Sequence, residues 1–358
     1  MIVNKKGVGM KRENNFNVIR FVAALMVMAG HMAYICGTSV PLFLGEGVQA
    51  LGVKIFFLAG GFLISKSWIA DPSPKKYAIK RIMRIFPALI VYCILVTFVF
   101  GPILSTLSVK EYFSRSEIFV YLKNIFLYPI YSLPGVFGYN PYPNAVNGSL
   151  WTLPVEVTLY MIVPIVIIIF GLHKKNNKSL TCIVVFTAFL CVCQMIRLKY
   201  FPSLRFVIYG TDIVSAFDLV PWYFIGIIYT YPCIQRRLNI QISMILILLL
   251  SCIPADAMMT NVLKYLAFPY IVFSFVLIEK PLFSMAFRKC EISYGVYLYS
   301  FFVQQSVVYI AQMMHCTMGY LGYYAVSIIA TCIFAFASAK LVEEPAQKFC
   351  KYLIKNIN

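Results

Sequence analysis

Arg20 and His31 fall inside one apolar stretch, residues 17–36, long enough to be a bilayer-spanning helix. Ionisable groups at membrane depth are expensive and mark functional sites. At about 100° per residue, the spacing from Arg20 to His31 makes three turns plus roughly 20°, so both side chains share one helix face. They stand about 16 Å apart along the axis. This geometry suits one elongated ligand touched at two depths, with the arginine near one membrane surface and the histidine well inside. The plainer alternative has Arg20 snorkelling to lipid headgroups and His31 hydrogen-bonded in the core.

Two further groups extend the pattern. In Asn147-Gly148-Ser149-Leu150-Trp151-Thr152-Leu153-Pro154-Val155-Glu156, the glutamate lies about 9 Å into a fourth apolar stretch. His31 lies about 8 Å from the outer end of its own helix, so the sequence predicts a carboxylate and an imidazole at matching depth, an acid/base pair near the outer leaflet. Pro154 would kink the helix beside Glu156 and free backbone groups there. Pairing of Glu156 with Lys54 is the structural alternative. On the inner side, Lys80-Arg81-Ile82-Met83-Arg84-Ile85-Phe86-Pro87 sets Arg81 and Arg84 one helical turn apart, a geometry suited to gripping phosphate and equally to ordinary positive-inside charge.

The elements that must hold these residues follow from composition. Hydrophobic residues make up 61% of the 358 and charged residues 12%, with mean hydropathy +0.81, which excludes a water-soluble domain. Apolar stretches recur at about 17–36, 48–69, 84–107, 150–170, 180–196, 212–230, 238–254, 260–279, 290–313 and 319–341. They predict an all-α, polytopic integral membrane protein of about ten transmembrane helices, a single membrane-embedded domain over 1–358. With the N-terminus cytoplasmic, 22 of the 31 lysines and arginines fall on inside segments and seven on outside loops. Both termini are therefore expected in the cytoplasm, as short tails 1–16 and 342–358. The net charge of +18 then reflects orientation, and nucleic acid is not needed to explain it.

The polar start of the chain gives no sign of a cleavable signal, so the first helix is expected to be retained. The eleven cysteines are scattered, and Cys191 and Cys193 match neither a zinc nor a redox spacing. With three histidines, two of them in loops, no metal site is predicted. The long outer loop, 108–149, concentrates tyrosine and proline between Tyr128 and Pro143. It reads either as an ordered cover over a polar ligand such as a sugar, or as an aromatic belt with a short surface helix at 110–127.

Taken together, several blocks resemble the family-three membrane acyltransferases. They are Arg20 and His31 in their helix, Ile55-Phe56-Phe57-Leu58-Ala59-Gly60-Gly61-Phe62-Leu63-Ile64, the Arg81/Arg84 turn, Ser149 to Glu156, Ile292-Ser293-Tyr294-Gly295-Val296-Tyr297-Leu298-Tyr299, and Glu344-Pro345. They run in the family's order from end to end. The resemblance implies ten helices, acyl-coenzyme A, above all acetyl-CoA, as donor, and a first-helix histidine, here His31, as the catalytic group. It implies bacterial surface glycans as acceptors and a multi-pass location in the bacterial inner membrane. The block Tyr297 to Gln305 looks most like stand-alone polysaccharide O-acetyltransferases, without an appended hydrolase-like domain. Two positions depart from the family: Gly60-Gly61-Phe62 stands where Ser-Gly-Phe is common, and Phe302 replaces a frequent proline.

Residues and resemblance converge on one expected mechanism. Arg81 and Arg84, with Arg20, bind the coenzyme phosphates, and the pantetheine arm threads along the first helix to His31. His31 acts as general base on a hydroxyl of an O-antigen, capsule or exopolysaccharide glycan or its lipid-linked precursor, and Glu156 orients the imidazole or binds the acceptor. An acyl-histidine intermediate is the competing chemistry. Glu344 reads either as a helix-end residue or as a coenzyme contact. A glycan or lipid-linked sugar transporter is the alternative function, since buried Arg and His suit a flippase as well.

Overall fold

The computed structural model describes residues 15–252, 258–278 and 291–357. Most of the expected N-terminal tail, and the inner loop carrying Lys280, Arg288 and Lys289, lie outside the described residues. The described chain is mostly helical, and its only paired strands among the described residues are two hairpins of two-residue strands, Leu42–Phe43 with Glu46–Gly47 and Val207–Ile208 with Thr211–Asp212. The principal helices are α1 Phe16–Ile35, α2 Val48–Ala70, α3 Pro74–Leu95, α4 Thr152–Ile169, α5 Asn177–Tyr200, α6 Val220–Ile228, α7 Ile240–Cys252, α8 Met258–Val276, α9 Ser293–Met313, α10 Tyr320–Ser338 and α11 Glu344–Lys355. Among the described residues, six helical segments (16–35, 48–70, 74–104, 152–169, 177–200 and 320–355) are long and apolar enough to cross a bilayer. The protein is a multi-pass membrane protein, and each of the ten apolar stretches contains helix.

The boundaries differ from expectation in three places. First, α3 starts at Pro74, not near 84, because Ser73 caps it and proline suits the first helical position. Arg81 and Arg84 therefore sit inside the helix. A π-helical turn, Val96–Phe100, then carries it on to Leu104. Second, the stretch at 212–230 is broken into Ile213–Phe217 and α6 around Asp218 and Leu219, with Pro221 opening the second piece. Third, residues 342–355 are not a tail: a π turn, Ala339–Glu343, joins α10 to the amphipathic α11, which packs on α3 and donates from Gln347 Nε2 to Met83 O at 3.0 Å.

Helix α2 is the central wall, packed against α1 on one side and α6 on another. Small residues permit the approach: a Cβ on Gly61 would lie 1.8 Å from Tyr223 O, and one on Gly226 would lie 2.2 Å from Leu58 O. The long loop after α3 is an ordered cover that also holds short helices, Val109–Ser114, Glu117–Tyr121 and Leu122–Phe126. Its Tyr112, Tyr121, Phe137, Val146 and Asn147 are buried, and the short helices fall where a surface helix at 110–127 is expected.

Candidate active site

Three arginines converge on one cavity of about 240 Å³ between α1, α2, α3, α4 and α9. Arg20 comes from the first turns of α1 and Arg81 and Arg84 from successive turns of α3; Glu156 of α4 lines the same space. Four of the five site residues read from the sequence thus meet in one place. Glu291, just ahead of α9, accepts from both Arg20 and Arg84, the latter at 2.7 Å, and Glu343 lies 3.7 Å from Arg84. Burial alone would raise the Glu291 carboxyl, but the guanidiniums of Arg20 and Arg84 outweigh it and hold it down at about 2. Arg81 differs. It has no carboxylate partner among the described residues: its Nη2 donates to Ser67 Oγ at 3.4 Å, its guanidinium lies over Tyr77 and Tyr160, and its buried Nε has no partner. Among the described residues, the cavity therefore presents one arginine without a carboxylate partner, flanked by two that share Glu291, with Glu156 also in the lining.

His31 lies beyond this cavity, not in its wall. Its ring packs edge-on to Phe301 at 5.2 Å, and Nδ1 lies 3.5 Å from Ser149 Oγ. Ser149 is connected to the cavity through two lining hydroxyls: Tyr297 OH donates to Ser149 O at 3.1 Å, and Thr152 Oγ1 lies 2.6 Å from Tyr297 OH. Ser149 is held in turn by Asn147, whose Oδ1 accepts from Ser149 N at 2.9 Å while its Nδ2 donates to Tyr92 OH and Leu298 O. On α1 itself, Gln304 of α9 donates to Met28 O, one turn before His31, at 2.7 Å. The imidazole is thus seated between rigid elements, with a hydroxyl at one nitrogen.

The expected His31–Glu156 pair is not formed. Helix α4 begins at Thr152, and the turn just before it brings Ser149 to His31, while Glu156, seven residues further on, lines the cavity with the arginines. There Glu156 accepts from Tyr160 OH. It does not pair with Lys54 either, which pairs with Glu46. Glu344 pairs with Lys340 four residues earlier on the helix surface. Sequence reasoning missed Ser149, Tyr297 and Glu291. The signal for the last was available: an acid at the inner end of the ninth stretch, level with Arg20 and Arg84.

Residues 13–340 match the model of the acyltransferase-3 family, described as an acyltransferase domain, and the chain belongs to that family. It is an acyltransferase, and the transporter alternative loses its support. The chain is 31% identical to the "O-acetyl transferase" of Shigella phage Sf6, over 94% of this chain and 96% of that one. It is 26% identical to "Nodulation protein 10" of Rhizobium leguminosarum bv. viciae, over 95% of each. It is also 26% identical to the "Peptidoglycan O-acetyltransferase OatA" of Listeria monocytogenes, over 83% of this chain and 51% of that relative. No solved structure matches it.

Proposed function

We propose that this enzyme transfers an acetyl group from cytoplasmic acetyl-coenzyme A to a hydroxyl of a bacterial surface glycan, or of its lipid-linked precursor, at the outer side of the bacterial inner membrane. The reading includes ten crossings with both termini in the cytoplasm, where positive-inside charge puts the arginine end of the cavity. The single observation that carries it is the Arg20–Arg81–Arg84 cavity joined through Thr152, Tyr297 and Ser149 to His31. Two relatives named for O-acetyl transfer, one of them acting on peptidoglycan, support acetyl and glycan as the two substrates.

In the mechanism, coenzyme phosphates meet Arg81 first, since its charge is uncommitted, with Arg84 and Arg20 adding field from behind Glu291. The pantetheine arm runs along α1 and α2 toward the Thr152–Tyr297 pair. With His31 Nδ1–H donating to Ser149 Oγ, Nε2 is left as the base. It takes the proton of the acceptor hydroxyl while that oxygen attacks the thioester carbonyl. The carbon–sulfur bond then breaks, and the departing thiolate recovers the proton from the imidazolium. General-base help supplies about 10²–10⁴-fold, so positioning and stabilisation of the oxyanion supply the remainder.

The test compares wild type with His31→Ala, both folded and both assayed for binding of labelled acetyl-coenzyme A and for acetylated surface glycan. Retained donor binding with loss of product supports the reading. A His31→Ala protein that still acetylates, or a wild type that binds no donor, overturns it. A labelled acetyl group trapped on His31 of wild type would replace direct transfer by an acyl-histidine route.

A further inference from the structure

A second charged cavity, of about 290 Å³, opens between the N-terminal ends of α2, α6 and α8 and the C-terminal end of α5, at the end of the bundle away from Arg81 and Arg84. Helix α2 is the partition: Val53 lines the arginine cavity and Lys54 lines this one. None of the residues assigned to acyl transfer reaches it.

The lining holds Lys54, Lys264, Glu46 and Asp218, and Arg197 reaches Asp218 from outside it, so the cluster counts three cations to two acids. Lys54 pairs with Glu46, and Arg197 pairs with Asp218. That leaves Lys264, 4% exposed, whose nearest acceptors are Gly45 O at 3.4 Å and the already shared Glu46 Oε2 at 3.8 Å. A buried ammonium held this loosely retains donor capacity and one positive charge in excess, a costly arrangement unless an anion completes it. Gln194 supplies the second observation: it is 1% exposed, lines the same cavity, and its Nε2 has no partner. Two buried donors therefore face one space from different helices. The wall beside them is aromatic, with Trp222 and Tyr265 stacked at 4.6 Å, and Glu46 and Asp218 offer acceptor oxygens. Both are donors suited to a carboxylate, and the cavity is larger than a carboxylate. Its aromatic wall and paired acids suit a ring bearing hydroxyls.

We propose that this cavity binds a monoanionic, carboxylate-bearing sugar of the hexuronate class, with its carboxylate on Lys264 and Gln194 and its hydroxyls toward Glu46 and Asp218. As a station for an acidic acceptor glycan it rests on the transfer reading above; as a binding site it does not. Binding measured without any acyl donor keeps the two apart.

The experiment is equilibrium binding of radiolabelled glucuronate to the full chain in lipid nanodiscs, competed by unlabelled glucuronate, glucose and acetate. Expected are saturable binding at one site per chain, no competition by glucose, competition by acetate at least tenfold weaker than by glucuronate, and at least tenfold weaker binding in Gln194→Met and Lys264→Met. Thermal unfolding checks both variants, and if Lys264→Met does not fold, Gln194→Met decides. Absence of saturable binding, glucose competing as well as glucuronate, acetate competing equally, or wild-type affinity in a folded variant would each overturn the proposal.

Discussion

Ser149 Oγ lies 3.5 Å from His31 Nδ1, on a turn that Asn147 fixes to Tyr92 and Leu298. In the proposed mechanism this contact takes up Nδ1 and leaves Nε2 as the base. Ser149→Ala leaves the arginine cavity intact and removes the partner at Nδ1, so kcat is expected to fall about tenfold, corresponding to about 1.4 kcal/mol, with KM for acetyl-coenzyme A unchanged. Steady-state acetylation rates against donor concentration check it. A rise in donor KM without loss of kcat would place Ser149 in binding instead.

Arg81 and Arg84 share a helix face but not an electrostatic environment. Arg84 is tied to Glu291 and Glu343, whereas Arg81 has no carboxylate partner among the described residues. Arg81→Ala should therefore weaken acetyl-coenzyme A binding by at least tenfold with little change in Tm. Arg84→Ala should lower both, because it strips a partner from buried acids. Donor titrations and thermal unfolding, run on the same preparations, separate the two outcomes.

Much of this architecture is legible in the sequence because lipid demands long apolar helices, and a run such as 48–69 has few other fates. What hides is local. Residues 342–355 alternate lysines with Phe349, Tyr352 and Leu353, so average hydropathy reads a charged tail where the structure forms an amphipathic helix on α3. Depth along a straight helix puts Glu156 level with His31, but where the helix begins is invisible to such counting, and Ser149, on the turn before it, takes the place. Glu291 follows a basic segment and reads as loop charge until α1 and α3 are seen to meet at it.

The glycine pair Gly60-Gly61 separates packing from chemistry. A Cβ on Gly61 would enter the Tyr223 backbone at 1.8 Å, while one on Gly60 would face the cavity and meet the edge of the Tyr223 ring at 3.1 Å. Gly61→Ala is expected to lower stability by about 1–3 kcal/mol or more through forced separation of α2 and α6. Gly60→Ser, which restores the residue common in the family, should cost little and place a hydroxyl in the donor cavity. Thermal unfolding of both variants checks the contrast, and a Gly60→Ser protein as unstable as Gly61→Ala would refute it.

Glu291 offers the sharpest coupling between stability and donor. It compensates Arg20 and Arg84 at once, so Glu291→Gln leaves two half-buried guanidiniums with Glu343, 3.7 Å from Arg84, as the remaining acid beside them. Breaking a fully buried pair typically costs about 3–5 kcal/mol, and the partial exposure of these side chains lowers the cost here. If coenzyme phosphates occupy the same field, they replace the missing negative charge, and saturating acetyl-coenzyme A should raise the Tm of Glu291→Gln by more than it raises that of wild type. The comparison needs no turnover. A variant whose Tm responds to donor no more than wild type would mean that the arginine cluster is structural and that the phosphates bind elsewhere.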